Sequence, residues 1–475
     1  MGAGRIGWMA RSRCATLAIV AVMAGLAAPA AANEREPLAI TPVPSTPVAG
    51  AFTLAAVGDL IYLRPMLATM ERKSPEMLRI LRRADVTYGN FEEVVFDLST
   101  FKGAPQAESG GTWMLGDPKV VDDLVSMGFD LVSTANNHAT DWGVEGMLET
   151  IRRLDAAKLV NAGTGRTMSE ARAPHYLDAP PGRIGLVAAT STFTPMTPAS
   201  DPLGMVPGRP GANVIRTREI GLVSDADLAV LGRLAGAKPG SPVTLGERTY
   251  RATPSPQQPL TIEYEPNGKD ETANLRSIRQ AKQNGNFVIF SFHNHEPNEE
   301  TQQPPAFTVD FARRAIDEGA DAFIAHGPHQ LRGIEIYKGR PIFYSLGNFA
   351  MMNNSLDHLP ADMYDQFGID PAKVTAPEFL QARGAAIFAD PNLYESVIAE
   401  SRFIDGQIAE IRLYPVDLGV TAKGAERGVP HLADAAVGAR ILERLARLSA
   451  PFGTNIAIEK GIGVIRLAAR QRPSP

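Results

Sequence analysis

A unit of amphipathic helix, short apolar strand and polar loop recurs along this 475-residue chain, and it limits the fold more than any other feature. The helix "PEMLRILRRA" leads to the strand "DVTY" and the loop "GNFEE". "DPKVVDDLVSMG" leads to "FDLVSTA" and "NNHATDWG", with Val120, Val121, Leu124 and Val125 expected on one helical face. Further units read "ETANLRSIRQAKQNG", "NFVIFSF", "HNHEPNEE" and "FTVDFARRAIDEGA", "DAFIA", "HGPH". Ahead of them all, the strand "FTLAAV" runs straight into the loop "GDLIYLR". Such alternation predicts an α/β fold whose strands are buried on both faces, because they read as nearly continuous apolar runs. In sheets of that kind the loops past the carboxyl ends of the strands share one edge, where ligands bind.

Residues 1–32 stand apart from this pattern. Arg5, Arg11 and Arg13 precede the apolar run "ATLAIVAVMAGLAA", and "APAAAN" offers small residues for cleavage after Ala32, as in a secretory signal peptide. The expected location is therefore periplasmic or extracellular. The alternative is an uncleaved N-terminal membrane anchor, for which the run is short against a bilayer span of about 20 residues. Removing residues 1–32 takes away three arginines and no acids, so the formal charge moves from −5 to −8. A mildly acidic chain without a basic tract excludes nucleic acid as the expected partner. The only cysteine, Cys14, falls inside the signal, so the mature fold is expected to rely on its core, and on metals, rather than disulfides.

The rest divides into a Pro-rich linker at 33–50, a main domain at 51–420, and a C-terminal helix and tail at 421–475. Two stretches interrupt the repeating unit, 195–268 and 351–400. Both read as insertions, with lid functions as one reading, since long irregular loops are uncommon unless functional or disordered. Within the first, "SDADLAVLGRLAG" has helical spacing. "GQIAEIRLYPVDL" alternates as a strand, and "ADAAVGARILERLARLSA" is an amphipathic helix.

Five of the eight histidines crowd into three of the strand-end loops: His138, His293, His295, His326 and His329. Imidazoles accompanied by carboxylates suit Zn, Mn or Fe, and the lack of sulfur argues against a structural zinc. In "HGPH", glycine permits a close bend and proline fixes the turn, so His326 and His329 can face one centre. Asp59 and Glu92 are expected just past their strands as ligands, and Asn137 as a neutral oxygen ligand. His138 is placed to move a proton, with Asp141 three residues on to orient it. His293 follows its strand directly and is the better ligand candidate, whereas His295 and Glu296 stay ambiguous. Asn348 reads equally as a site residue or as a loop anchor.

The segments "AAVGDLIYLR", "YGNFEE", "STANNHATDWG", "NAGTG", "FSFH" and "IAHGPHQLRGIEIYKGRPIFYSLGNF" resemble the CapA-type poly-gamma-glutamate capsule biosynthesis proteins, a branch of the calcineurin-like metallophosphoesterase superfamily. The resemblance implies a four-layer αββα sandwich with the site at the C-terminal edge of the strands. It also implies one or two divalent ions: Asp59 and His329 on one, Asn137, His293 and His326 on the other, Glu92 bridging and His138 as the acid. Phosphoesterases of the superfamily carry a histidine two residues after the first aspartate, where this chain has Ile61, and an aspartate where it has Glu92. CapA relatives share both changes. "HNHEP" differs from the His-Trp-Gly form common among those relatives.

The expected function is a metal-dependent hydrolase or transferase acting on an envelope polymer, a phosphoester or a peptide, alongside membrane partners of capsule synthesis. Two alternatives use the same cleft: a non-catalytic component that binds polymer, and a metal-free acid–base enzyme of epimerase type.

Overall fold

Along the first strand, β1 (Ala51–Ile61), Phe52, Leu54 and Ala56 alternate with Ala55 and Val57. The two sets enter different cores, as a side-chain period of two requires. The computed structural model describes residues 43–106, 113–253, 260–353 and 356–467. The signal-peptide reading of 1–32, Cys14 and residues 33–42 of the linker lie outside them. Among the described residues no helix is long and apolar enough to cross a membrane.

The chain is mixed α/β. Strands β2 (Val86–Phe91), β3 (Leu131–Ser133) and β4 (Val160–Ala162) extend a parallel array from β1. A second sheet centres on β5 (Gly182–Thr190), β6 (Phe287–His293) and β7 (Ala322–His326), again mutually parallel. Val86, Tyr88 and Leu131 of the first sheet share one apolar core with Ile184, Ile289 and Ile324 of the second. Both faces of each sheet are therefore buried, which explains the continuous apolar runs in sequence.

Helices cover the outer faces. Helices α1 (Pro75–Arg83) and α2 (Lys119–Met127) pack Met77, Leu81, Val120 and Leu124 against Ala55, Val57 and Val132. Val125 is 43% exposed, contrary to its expected place on the buried face of α2, and Met127 is buried instead. At about 100° per residue Val125 falls roughly 100° beyond Leu124, outside the stripe formed by 120, 124 and 127. Helix α3 (Gly268–Asn284) starts at Asn267, whose side chain accepts from the backbone N–H groups of Lys269 and Asp270. It packs on the second sheet beside α4 (Ala306–Asp317), whose Phe311 meets Phe290 and Phe292 at ring separations of 5.3 and 5.9 Å.

Three later strands join the first sheet: β8 (Asn348–Met351), parallel to β1, and the antiparallel pair β9 (Glu395–Ile404) and β10 (Gln407–Asp417). Helix α5 (Ala435–Ser449) buries Ile441, Leu442 and Leu445 in the core shared by the sheets. Past it, strands Ala457–Glu459 and Ile462–Arg466 add to the edge of β10, so the segment that follows the helix contributes two strands to the first sheet.

Residues 195–268 carry structure of their own. Strands Thr217–Val223, Val243–Leu245, Arg248–Ala252 and Thr261–Pro266 form a separate four-stranded sheet, with a helix at Asp225–Ala235. The stretch 351–400 holds helices Ala361–Gln366 and Ala376–Ile387 and the first residues of β9.

Candidate metal centre

Strand register decides which side chains meet. Asp59 lies inside β1 rather than past it, because β8 gives Leu60 and Ile61 a parallel partner and prolongs the strand. The pairing is irregular there, with register shifts on either side of Asp59. Gly58 makes this possible: a Cβ at that position would lie 1.7 Å from the Gly347 carbonyl oxygen. The close approach lets the Asp59 N–H donate to Gly347 O at 3.0 Å and sets Asn348 opposite Asp59.

Glu92 directly follows β2. His293 and His326 are the last residues of β6 and β7 and stand opposite each other across that pair. The bend in "HGPH" depends on Gly327, at φ +119°, where a Cβ would meet the Asn294 backbone at 2.9 Å. Its N–H donates to Asp59 Oδ2 at 3.2 Å. His329 then takes a left-handed φ of +55°, rare for a residue with a side chain. Both rings of the motif end on one carboxylate. His326 Nδ1 is 3.6 Å from Asp59 Oδ1, and His329 Nδ1 is 3.4 Å from Asp59 Oδ2.

Glu92 sits at the middle. Its Oε1 lies 3.8 Å from His293 Nε2, 3.9 Å from His329 Nε2 and 4.0 Å from His138 Nε2. The carboxyl is fully buried, and among the described residues neither of its oxygens has a hydrogen-bond partner. Burial, followed by the charge of Asp59, pushes its pKa well above the usual carboxylate range.

The surrounding imidazoles are oriented by second partners. Asp141 Oδ2 accepts from the Met114 N–H at 2.7 Å, so it is also the acceptor for His138 Nδ1, 2.7 Å away. That assignment turns His138 Nε2 toward Glu92. The Asn348 amide nitrogen donates to His329 O at 3.2 Å and Leu393 O at 2.9 Å, which leaves its Oδ1 to accept from His329 Nδ1 at 3.0 Å. His326 Nε2 meets Ser291 Oγ at 2.9 Å and Tyr88 OH at 3.2 Å. His293 Nδ1 and His326 Nδ1 are 3.0 Å apart.

The cluster drives its members apart in pKa. Burial works against ionised Asp59, yet His329 and His326 hold it down to about 2. Burial likewise opposes a charge on His329, but Glu92, Asp59 and Glu299 outweigh it and hold the ring up to about 10. Burial brings His326 down to about 4, and burial with the neighbouring imidazoles takes His293 well below its ordinary value. Neutral imidazoles and ionised carboxylates are the forms that bind metals, so Asp59, His293 and His326 already stand in that form, whereas Glu92 and His329 would give up protons to a cation.

Asp59, His293 and His326 bring donor atoms within 4.8 Å of one another, and so do Asp59, Glu92 and His329. With the unsatisfied Glu92 carboxylate between them, these residues fit a divalent cation held by nitrogen and oxygen. Asp59 belongs to both groups, a different division from the one implied by resemblance. Asn137 is buried in the same turn as His138. Ile61 is buried in the apolar core on the helix side of β1 and offers no donor.

Several site residues escape a reading of the sequence. Asn90, inside β2, donates to Asp59 Oδ1 at 2.9 Å and lies 3.3 Å from His293 Nδ1. His295, ambiguous in sequence, has its Nε2 2.9 Å from His293 Nε2 and its Nδ1 3.2 Å from Glu299 Oε1. The signal for Glu299 was its spacing of four residues from a histidine. Glu296 does something else: its carboxylate accepts from Ser191 at 2.8 Å and Thr192 at 3.2 Å, beyond the end of β5.

A family model described as "Bacterial capsule synthesis protein PGA_cap" matches residues 53–353. Two proteins of Sinorhizobium fredii, "Uncharacterized protein y4sH" and "Uncharacterized protein y4uA", are each 43% identical to this chain over 446 residues, 90% of this chain and 96% of theirs. "PGA biosynthesis protein CapA" of Bacillus subtilis is 26% identical over 305 residues, 62% of either chain.

Proposed function

The chain belongs to the bacterial capsule synthesis family PGA_cap, and from that premise we propose that it is an exported, metal-dependent hydrolase or transferase serving the assembly of capsule, poly-gamma-glutamate or a related envelope polymer. Relatives named for capsule and PGA biosynthesis support the polymer. The two sheets sharing a core, with helices on their outer faces, support the four-layer αββα arrangement of metallophosphoesterases.

One observation carries the chemistry: a buried carboxylate with no hydrogen bond among the described residues stands about equally far from three imidazole Nε2 atoms. Burial pushes this carboxyl toward its protonated form, and a bound cation would hold it ionised instead. Asp59, Glu92, Asn137, His293, His326 and His329 would hold one or two divalent ions, Mn, Zn or Fe. When bound, such an ion supplies Lewis-acid polarisation of a phosphoryl or carbonyl oxygen. Around it the chain does the rest. Asp141 keeps the proton of His138 on Nδ1, so Nε2 faces the centre and can exchange a proton with a leaving group. Asn90 fixes the angle of Asp59 against His293, and Asn348 that of His329.

Ile61 favours a second reading. With an apolar residue there, β1 contributes Asp59 alone, and a centre with fewer ligands suits a component that binds anionic polymer without cleaving it. Elemental analysis of the purified chain, followed by turnover assays on phosphoesters and polyglutamate, separates the readings. The hydrolase reading expects bound metal, and turnover abolished in His326→Ala. Metal-free, folded and active protein would refute it, and retention of polymer without products would favour the second reading.

A further inference from the structure

The segment from Asn294 to Thr301 carries two groups that the function above leaves unused, His295 and Glu299. Glu299 Oε1 is 3.2 Å from His295 Nδ1. A carboxylate there holds the ring proton on Nδ1 and frees the lone pair of Nε2, the arrangement that orients metal-bound histidines. That Nε2 lies 2.9 Å from His293 Nε2, which is in turn 3.8 Å from Glu92 Oε1. The three donors all fall within 4.8 Å of one another. Ligands sharing a tetrahedral zinc at about 2.0–2.2 Å stand roughly 3.4 Å apart, a value those two separations bracket.

The segment is also built to hold its position. The His295 N–H donates to Thr192 Oγ1 at 2.9 Å. Arg332, fully buried, donates to the carbonyls of Glu296 at 2.9 Å and Thr301 at 3.2 Å, and Gln330 donates to Glu299 O. Both residues follow His329 closely in the chain, so the turn that delivers His329 also clamps the loop that delivers His295. A buried arginine serving main-chain carbonyls is an expensive anchor for a loop with no task.

We propose that His295 is a metal ligand of this chain, completing a three-donor set with Glu92 and His293, and that Glu299 is its positioning residue. The inference rests on the reading that the centre holds a cation. It is tested on the full chain, stripped with a chelator and titrated calorimetrically with Zn²⁺, in parallel with the visible absorption of a Co²⁺ titration. His295→Ala should bind Zn²⁺ at least about tenfold more weakly, or lose one equivalent, with a changed Co²⁺ spectrum. Glu299→Gln, which alters an exposed side chain and spares the fold, should weaken binding by about tenfold. His175→Ala, on the strand His175–Ala179 that borders β5 and in none of the donor groups above, should bind as the wild type does.

A folded His295→Ala with wild-type affinity, stoichiometry and Co²⁺ spectrum would overturn the inference while leaving the centre intact. The same behaviour in Glu299→Gln would overturn the positioning role. A wild-type chain that takes up neither ion would overturn the centre itself, and this inference with it.

Discussion

On the small sheet of residues 217–266, Arg218 and Arg251 both reach Glu265, all three side chains being partly exposed. Around Glu92 the pattern is reversed: a buried carboxylate faces three imidazoles and has no hydrogen bond among the described residues. Charge on the small sheet is balanced, wet and cheap, and pairs of that kind contribute about 1 kcal/mol or less. Charge in the centre is dry and crowded: His329 offsets Asp59 and Glu92 in part, and burial still pushes Glu92 toward its protonated form, a cost the small sheet does not carry. Local destabilisation left uncorrected marks a site kept for binding, whereas pairing marks a surface kept for solubility.

The contrast can be broken or sharpened in order of effect. Gly58→Ala should act most strongly, since its Cβ would overlap the Gly347 carbonyl. A loss of about 3 kcal/mol or more is expected in denaturant unfolding, together with loss of metal uptake. A fully stable variant would mean that the β1–β8 approach is not fixed. Next comes Glu92→Gln. In chelator it should be about 1–3 kcal/mol more stable than wild type, because the cost of burying or protonating an acid there has gone. With Zn²⁺ at about 100 times its Kd, the wild type should gain about 2.7 kcal/mol and the variant far less. Equal behaviour of the two proteins in both conditions would erase the distinction drawn above.

Glu265→Gln should cost about 1 kcal/mol or less and leave metal binding untouched, which a urea titration would check. The smallest effect belongs to Asp417 and His431, whose side chains lie 3.6 Å apart. Their ion pairing raises the pKa of His431 from 6.5 and lowers that of Asp417 from 3.8. The His431 contribution is complete below pH 6.5 and fades as pH rises through its elevated pKa. That of Asp417 is complete above pH 3.8 and fades as pH falls through its depressed one. Their joint contribution should therefore peak between those two pH values and, after solvent screening, reach about 0.5 kcal/mol or less. Asp417→Asn should flatten that part of the stability profile, and an unchanged profile would deny the pair any role.

Much of the scaffold was legible because burial on both sheet faces leaves apolar runs at strand length, punctuated by polar loops. Asp59, Glu92, His138, His293, His326 and His329 stood out because strand ends gather ligands. Asn90 did not: its role depends on β2 lying in register beside β1, which no local pattern encodes. Arg332 is fully buried although arginine is normally a surface residue, so composition pointed the wrong way. Strands Ala457–Glu459 and Ile462–Arg466 were missed for a different reason: each is too short for its alternation to register, and their place comes from pairing with each other and with β10.

The central claim is that Glu92 and its imidazoles surround a cation. Element-specific anomalous diffraction from crystals of the purified full chain tests it most directly. The account predicts a peak about 2.0–2.3 Å from Glu92 Oε1 and from at least one of the Nε2 atoms of His293 and His329. Crystals grown with excess Mn²⁺ or Zn²⁺ that show the same side chains and no peak among them would contradict it.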